Sequence, residues 1–182
     1  MGSPKQLLKW GDTTLLKHIL KTCKSTLAKA VMVILGANEE AVFSEIKEES
    51  VHVIVNKTWE LGLGNSIACA AKNFLDSKEQ LDGLLIVLAD QPFVTTSFLN
   101  KMITDFDMNS ESILTTQYSK DKKGVPVLFH RCYFEELSQI SGDDGAKSVL
   151  KTHDDVVKTI IPNFENKDID TKDDYKNINK PS

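Results

Sequence analysis

Short apolar runs alternate with amphipathic stretches along most of this chain, and that rhythm constrains its fold more than any other feature. Val31-Met32-Val33-Ile34-Leu35 ends at Gly36, Val51 to Val55 forms a second run, and Gly83 to Ala89 (GLLIVLA) a third. Continuous apolar runs of this length are the pattern of strands buried on both faces. Between them, Leu16, Ile19, Leu20 and Cys23 recur at helical spacing behind an Asp12-Thr13 cap candidate. Glu39 to Lys47 reads as a helix, and Ile67, Ala70, Ala71, Phe74 and Leu75 form a further helical stripe. A helix through Phe98, Met102, Ile103 and Phe106 follows the third run. Strand alternating with helix predicts a doubly wound α/β fold, its sheet mostly parallel, with helices on both faces.

Beyond residue 110 the rhythm loosens. Ser112 to Thr116 and Val125 to Phe129 read as strands, joined by the charged segment 119–124. Helices are expected around Tyr133–Leu137 and Ala146–Lys151, a strand over Val156 to Ile161, and a terminal helix opened by the capping box Thr171…Asp174. No repeat, low-complexity tract or linker interrupts the chain, which predicts one domain over 1–182. A length of 182 residues suits that reading and allows a sizeable core.

Composition removes several classes of function. With 41% hydrophobic and 26% charged residues the chain is an ordinary globular one. A net charge of −4 and a single arginine, Arg131, argue against nucleic-acid binding. No apolar run approaches the ~20 residues of a membrane span, and no signal-peptide pattern opens the chain. Three scattered cysteines, Cys23, Cys69 and Cys132, fit a reducing cytoplasm better than a disulfide framework and lack zinc-site spacing. The four histidines show no metal-ligand spacing either.

In open α/β sheets ligands bind beyond the carboxyl ends of the strands, so the residues just after each apolar run carry the information. Asp90-Gln91-Pro92 follows the third run directly. An Asp there can hold Mg²⁺, which needs few protein oxygens; equally, it can cap a helix with Pro92 in the first turn. Asn56 to Ser66 (NKTWELGLGNS) follows the second run and opens a helix, where backbone N–H groups can receive an anion and Gly62 and Gly64 allow close approach. An ordinary loop is the alternative there, with Trp59 a packing residue. Lys5, beside Gly2-Ser3-Pro4, can neutralise phosphate or simply be solvated. Asp168-Ile169-Asp170-Thr171 can complete a metal site or merely favour a helix N-terminus. Gly142-Asp143-Asp144-Gly145 can be a site or a turn.

In order, MGSPKQLLKWGDTTLLKHIL, VILG, VNKTWELGLGNSI, LLIVLADQP, KGVPVLF, SGDDGAKSVL and DIDTKDDY resemble the molybdenum cofactor cytidylyltransferases of the MobA-like NTP transferase superfamily. LADQP, Gly-Ser-Pro-Lys and GLGNSI are closer to the cytidylyl branch than to the guanylyl one. The resemblance implies a Rossmann-like fold of the nucleotide-diphospho-sugar transferase type. It also implies transfer of CMP from CTP to molybdenum-molybdopterin, releasing pyrophosphate, with a xanthine dehydrogenase-type hydroxylase as the eventual recipient. By the same resemblance Asp90 and Asp170 hold Mg²⁺, and Lys5 contacts the triphosphate, so that Lys5 and Asp90 carry the catalysis. Asn56, Gly62 and Ser66 line the nucleotide pocket, with Gln91, Asp143 and Asp144 toward the molybdenum cofactor. Other readings are a sugar or polyol phosphate acceptor, GTP as donor, or a non-catalytic cofactor chaperone for a hydroxylase.

One departure bears on activity. Family members carry a strand and a turn of the type Leu-Ala-Ala-Gly-x-Ser-x-Arg before the Met-Gly-x-Pro-Lys segment, with which this sequence begins. That strand is the first and central one of the family's sheet. Without it, backbone groups on two neighbouring strands lose partners, at about 1–3 kcal/mol for each group left buried. Against a total stability of about 5–15 kcal/mol this matters. The expectation is that this chain alone binds CTP weakly.

Overall fold

The computed structural model describes residues 4–77, 80–165 and Tyr175. After a 3-10 turn at Lys5–Leu7, a short hairpin pairs β1 (Lys9–Trp10) with β2 (Thr13–Thr14), turning at Gly11, whose φ is 58°. Asp12 and Thr13, which read as a helix cap in the sequence, belong to this hairpin instead. The cap of α1 (Leu15–Lys24) is Thr14, whose Oγ1 accepts the Lys17 N–H at 3.4 Å. Next come β3 (Met32–Leu35), α2 (Glu39–Ile46), β4 (His52–Val55), α3 (Leu63–Asp76) and β5 (Gly83–Ile86). They are followed by α4 (Thr96–Asp105), β6 (Ile113–Ser119), β7 (Lys122–His130), α5 (Phe134–Leu137), α6 (Lys147–Thr152) and β8 (Val157–Ile160). The charged segment after Thr116 proves to be the tip of the β6–β7 hairpin: both strands run into it, leaving only Lys120-Asp121 as the turn. Thr171 and Asp174, the expected start of a terminal helix, lie outside the described residues. No helix among the described residues is long and apolar enough to cross a membrane.

The α/β architecture holds, and its sheet is mixed. β5, β7, β6 and β8 form one four-stranded piece in that order, with β5–β7 and β6–β7 antiparallel and β6–β8 parallel. The tight hairpin forces β6 and β7 to run oppositely, whereas β8 returns through α5 and α6 and can run parallel to β6. β3 and β4 form a separate parallel pair.

Side chains on the four-stranded piece alternate between two cores. Ile113, Val127 and Phe129 face a cluster with Ile67, Ala71, Leu137 and Val149, under α3, α5 and α6. Their neighbours Leu114 and Leu128 face Phe98, Leu99 and Met102 of α4. That period-two division is why these strands read as continuous apolar runs. A third cluster, Leu16, Leu20, Leu35, Val42 and Ile46, lies beneath α1, α2 and β3.

The two sheet pieces share covering helices. α1 contributes to the third cluster and, through Cys23, to the α4 cluster; α3 packs on the first cluster and also contacts β3. Yet among the described residues no ladder joins β3 to β5, and each pairs on one edge only. Residues 32–34 and 85–89 are accordingly half-buried, although their apolar runs are those of interior strands.

Candidate functional site

β5 ends its ladder at Ile86, and residues 87–95 carry the chain from the sheet to α4. Asp90 sits in a turn of this segment; Gln91 is buried, and its carbonyl accepts the Val94 N–H at 3.2 Å. The helix-cap reading of Asp90 fails on geometry. α4 begins at Thr96, and its cap is Thr95, whose Oγ1 accepts the Phe98 N–H at 3.3 Å. Asp90 and Pro92 both lie upstream of the helix. Less than 1 Å² of Asp90 Oδ1 and of Gln91 Oε1 reaches solvent. From the other side, His18 Nε2 on α1 donates to the Pro92 carbonyl at 2.9 Å.

The second neighbourhood joins two motifs that lie far apart in sequence. Asn56 is 3% exposed, and its N–H bonds the Leu35 carbonyl at 2.7 Å, tying the end of β4 to the end of β3. Its Oδ1 accepts from Thr58 N (3.0 Å) and Thr58 Oγ1 (2.9 Å), while its Nδ2 donates to Ser66 Oγ at 3.1 Å. Asn56 and Ser66 thus hold each other and the loop. Asn65 donates through Nδ2 to Thr58 Oγ1 at 3.0 Å. Its Oδ1, shielded from solvent, has no hydrogen-bond partner among the described residues. A buried acceptor left over in an otherwise satisfied loop is a place for a ligand donor.

The glycines of this loop are there for the protein's own backbone. Gly62 has φ 96°, and a Cβ on it would overlap the Gly142 carbonyl carbon and lie 2.6 Å from Asp143 Oδ1. A Cβ on Gly64 would sit 2.8 Å from the Ser141 carbonyl carbon. Two backbone bonds close the contact, Gly64 N to Gly142 O at 2.8 Å and Gly142 N to Leu61 O at 2.9 Å. The close approach expected of a ligand is made by segment 141–143, which brings Asp143 beside Gly62. Asp143 and Asp144 are exposed, and the Asp144 carbonyl accepts the Lys147 N–H at 3.2 Å.

One apolar cluster connects these parts. Leu7, two residues after Lys5, packs on the third cluster together with Leu35 and with Ala89, the residue before Asp90. Lys5 and Asp90 thus lie close in sequence to members of this cluster, and Asn56 is hydrogen-bonded to Leu35, another member. Asp170 lies outside the described residues. Trp59 is 41% exposed, and its Cβ lies 2.7 Å from where a Cβ on Gly36 would be. It borders an open cavity of about 500 Å³ with Gly36, Asn38, Glu39 and Lys57, across which Lys57 pairs with Glu39 at 2.7 Å.

For a divalent ion the donor chemistry fits. Mg²⁺ takes one or two carboxylates and fills its shell with water and phosphate oxygens. Asp90, with one shielded oxygen at the carboxyl end of a strand, offers such a ligand. Among the described residues no group of three or more His, Cys, Asp or Glu side chains forms a closed metal cage.

Comparison with known proteins agrees with this architecture. A family model described as the MobA-like NTP transferase domain matches residues 1–156. Nicotine blue oxidoreductase of Paenarthrobacter nicotinovorans is 25% identical over 177 residues, covering 92% of this chain and 84% of that protein. Bifunctional protein GlmU of Buchnera aphidicola is 27% identical over 128 residues, and the chain spans only 26% of its length. The crystal structure of Rv0371c from Mycobacterium tuberculosis superposes with a TM-score of 0.82 at 28% identity, over 98% of this chain and 89% of that one. The same protein has been solved in complex with manganese, which superposes with a TM-score of 0.80 at 27% identity, over 96% of this chain and 90% of that one.

Proposed function

The chain belongs to the MobA-like NTP transferase domain family, and from that premise we propose that it is a nucleotidyltransferase moving CMP from CTP to molybdenum-molybdopterin, with release of pyrophosphate. The observation that carries this reading is the Asp90 turn. It is a carboxylate with one solvent-shielded oxygen, outside the α4 cap, four residues beyond the end of β5. A solved neighbour at 27% identity is a complex with manganese, which supports a role for a divalent ion.

Asp90 would hold the ion, with Asp170 as second carboxylate. Bound there, Mg²⁺ supplies Lewis-acid polarisation and a template for the triphosphate. The work of the chain itself is positioning and charge neutralisation. The terminal phosphate of the acceptor attacks the α-phosphorus of CTP; a new P–O bond forms, the α–β bridge breaks, and pyrophosphate leaves with the electron pair. The Lys5 ammonium meets negative charge gathering on the triphosphate. Asn56 and Ser66, locked to each other, fix the loop that receives the nucleotide. Gly62, through its contact with Gly142, sets Asp143 at the edge of that loop, and Gln91, Asp143 and Asp144 are assigned to the acceptor side by the family resemblance. We further propose one domain over 1–182 and weak CTP binding by this chain alone, since β3 and β5 each lack a second strand neighbour among the described residues.

The test is pyrophosphate release with CTP or GTP as donor and molybdenum-molybdopterin, a sugar phosphate or a polyol phosphate as acceptor. The reading expects CTP with molybdenum-molybdopterin to be preferred, and Asp90→Ala to lower the rate on the order of a hundredfold while the circular dichroism is retained. Turnover with another acceptor reassigns the substrate. Cofactor binding without Mg²⁺, unaffected by Asp90→Ala, establishes the non-catalytic chaperone instead.

A further inference from the structure

We propose that His18 is a positioning residue for the Asp90 turn, a role that rests on the reading of Asp90 as the ion's ligand. His18 lies on α1, and no spacing in the sequence singles it out. In the fold its Nε2 donates to the Pro92 carbonyl at 2.9 Å, two residues beyond Asp90. A carbonyl only accepts, so this bond requires the proton on Nε2 and leaves Nδ1 as the acceptor of the neutral ring.

A second set of contacts closes a circuit around the same turn. The Trp10 ring, from the β1–β2 hairpin, packs edge-on against Phe93 at 5.7 Å and an interplanar angle of 86°. It also lies 5.9 Å from the His18 ring at 52°. The path runs from Phe93 to Trp10, from Trp10 to His18, and from His18 back to Pro92, the residue before Phe93. Both halves of the circuit are anchored outside the sheet, His18 on α1 and Trp10 on the hairpin. This matters because β5 is laddered only to Ile86, so the sheet does not fix the turn beyond it. Thr96 Oγ1, which donates to the Thr22 carbonyl at 3.0 Å, ties the start of α4 to the same helix. The segment carrying Asp90 is thus registered against α1. A displacement of about 1 Å at a reacting centre can cost ~10²-fold in rate, which is the scale at which such registration acts.

His18→Phe keeps a ring against Trp10 and removes the donor; His18→Gln returns an N–H near the Nε2 position. In the full chain, three readouts are taken: hydrogen exchange of the Gln91, Phe93 and Val94 amides, affinity for Mn²⁺ alone, and kcat against KM for CTP. His18→Phe is expected to speed exchange about tenfold, as loss of one hydrogen bond does. It should weaken Mn²⁺ binding and, at saturating Mn²⁺, lower kcat at least tenfold with KM for CTP within about twofold, as misplacement of the reacting centre does. His18→Gln should recover each to within about threefold. Unchanged exchange in His18→Phe overturns the tether. Faster exchange with Mn²⁺ affinity and kcat at wild-type level overturns the positioning role, as does failure of His18→Gln to rescue. If the unmodified protein neither binds Mn²⁺ nor turns over, the reading of Asp90 fails and the positioning role with it, while the exchange data still show whether His18 holds the turn.

Discussion

The two pieces of sheet were built from similar sequence and reach different ends. Val125 to Phe129 of β7 and VMVIL of β3 are both apolar runs, yet the four-stranded side has Ile113, Thr115, Val127 and Phe129 all sealed from solvent, at 1% exposure or less. On the two-stranded side only Leu35 of β3 is buried, and Val33 and Ile34 are half-buried. What differs is the number of neighbours. β6 and β7 each pair on both edges, whereas β3 and β5 each pair on one. An apolar run reports that a strand is made to be interior; burial depends on what lies beside it.

The largest test of that contrast is truncation on each side. Phe129→Ala should cost about 3–5 kcal/mol in urea unfolding, because the site is fully buried and tightly surrounded. Val33→Ala should cost about 1 kcal/mol or less, since half of its surface transfer is already lost. Equal costs would dissolve the distinction.

A smaller effect tests the seam between motifs. Gly62→Ala places a side chain at φ 96° against the Gly142 carbonyl carbon, a strain of about 1–3 kcal/mol. Gly142→Ala, with open space around its Cβ position and φ 82°, should cost less, from conformation alone. Should the two cost the same, the close approach of loops 61–64 and 141–143 is not what Gly62 serves.

The smallest effect concerns α1, the helix shared by both pieces. Burial pushes the Cys23 thiol from 9.0 up to about 11. The folded state then binds a proton that the unfolded state releases between those values, so the stabilisation present below pH 9 is lost as pH rises toward about 11. The stability difference between wild type and Cys23→Ala should shrink over that window. The buried thiol should also resist alkylation at pH 8 longer than the exposed Cys132.

Much of the fold was legible because periodicity is a direct consequence of burial. α2, α3, α4 and β8 lie within a few residues of their apolar patterns. The β1–β2 hairpin was not legible: Lys9-Trp10 and Thr13-Thr14 are too short to show alternation, and Gly11-Asp12 reads as well as a cap. Of the site, the position of Asp90 at a strand end was readable, while its freedom from the α4 cap needed Thr95, a residue five further on, to be seen bonding Phe98. The pairing of Gly62 with Gly142 was hidden for a deeper reason. Gly62 is required by the backbone of Gly142, eighty residues away, and nothing local records that. His18 carries no signal at all, since its partner is a main-chain carbonyl.

The most direct measurement is a Mn²⁺ titration of the full chain in the presence of CTP, followed for the wild type and for Asp90→Asn, which preserves the side chain's shape while removing its charge. The account predicts one ion bound by the wild type and at least tenfold weaker binding by the variant, with both proteins melting at similar temperatures. Equal affinity in the two proteins would contradict it and place the ion, and the chemistry, elsewhere.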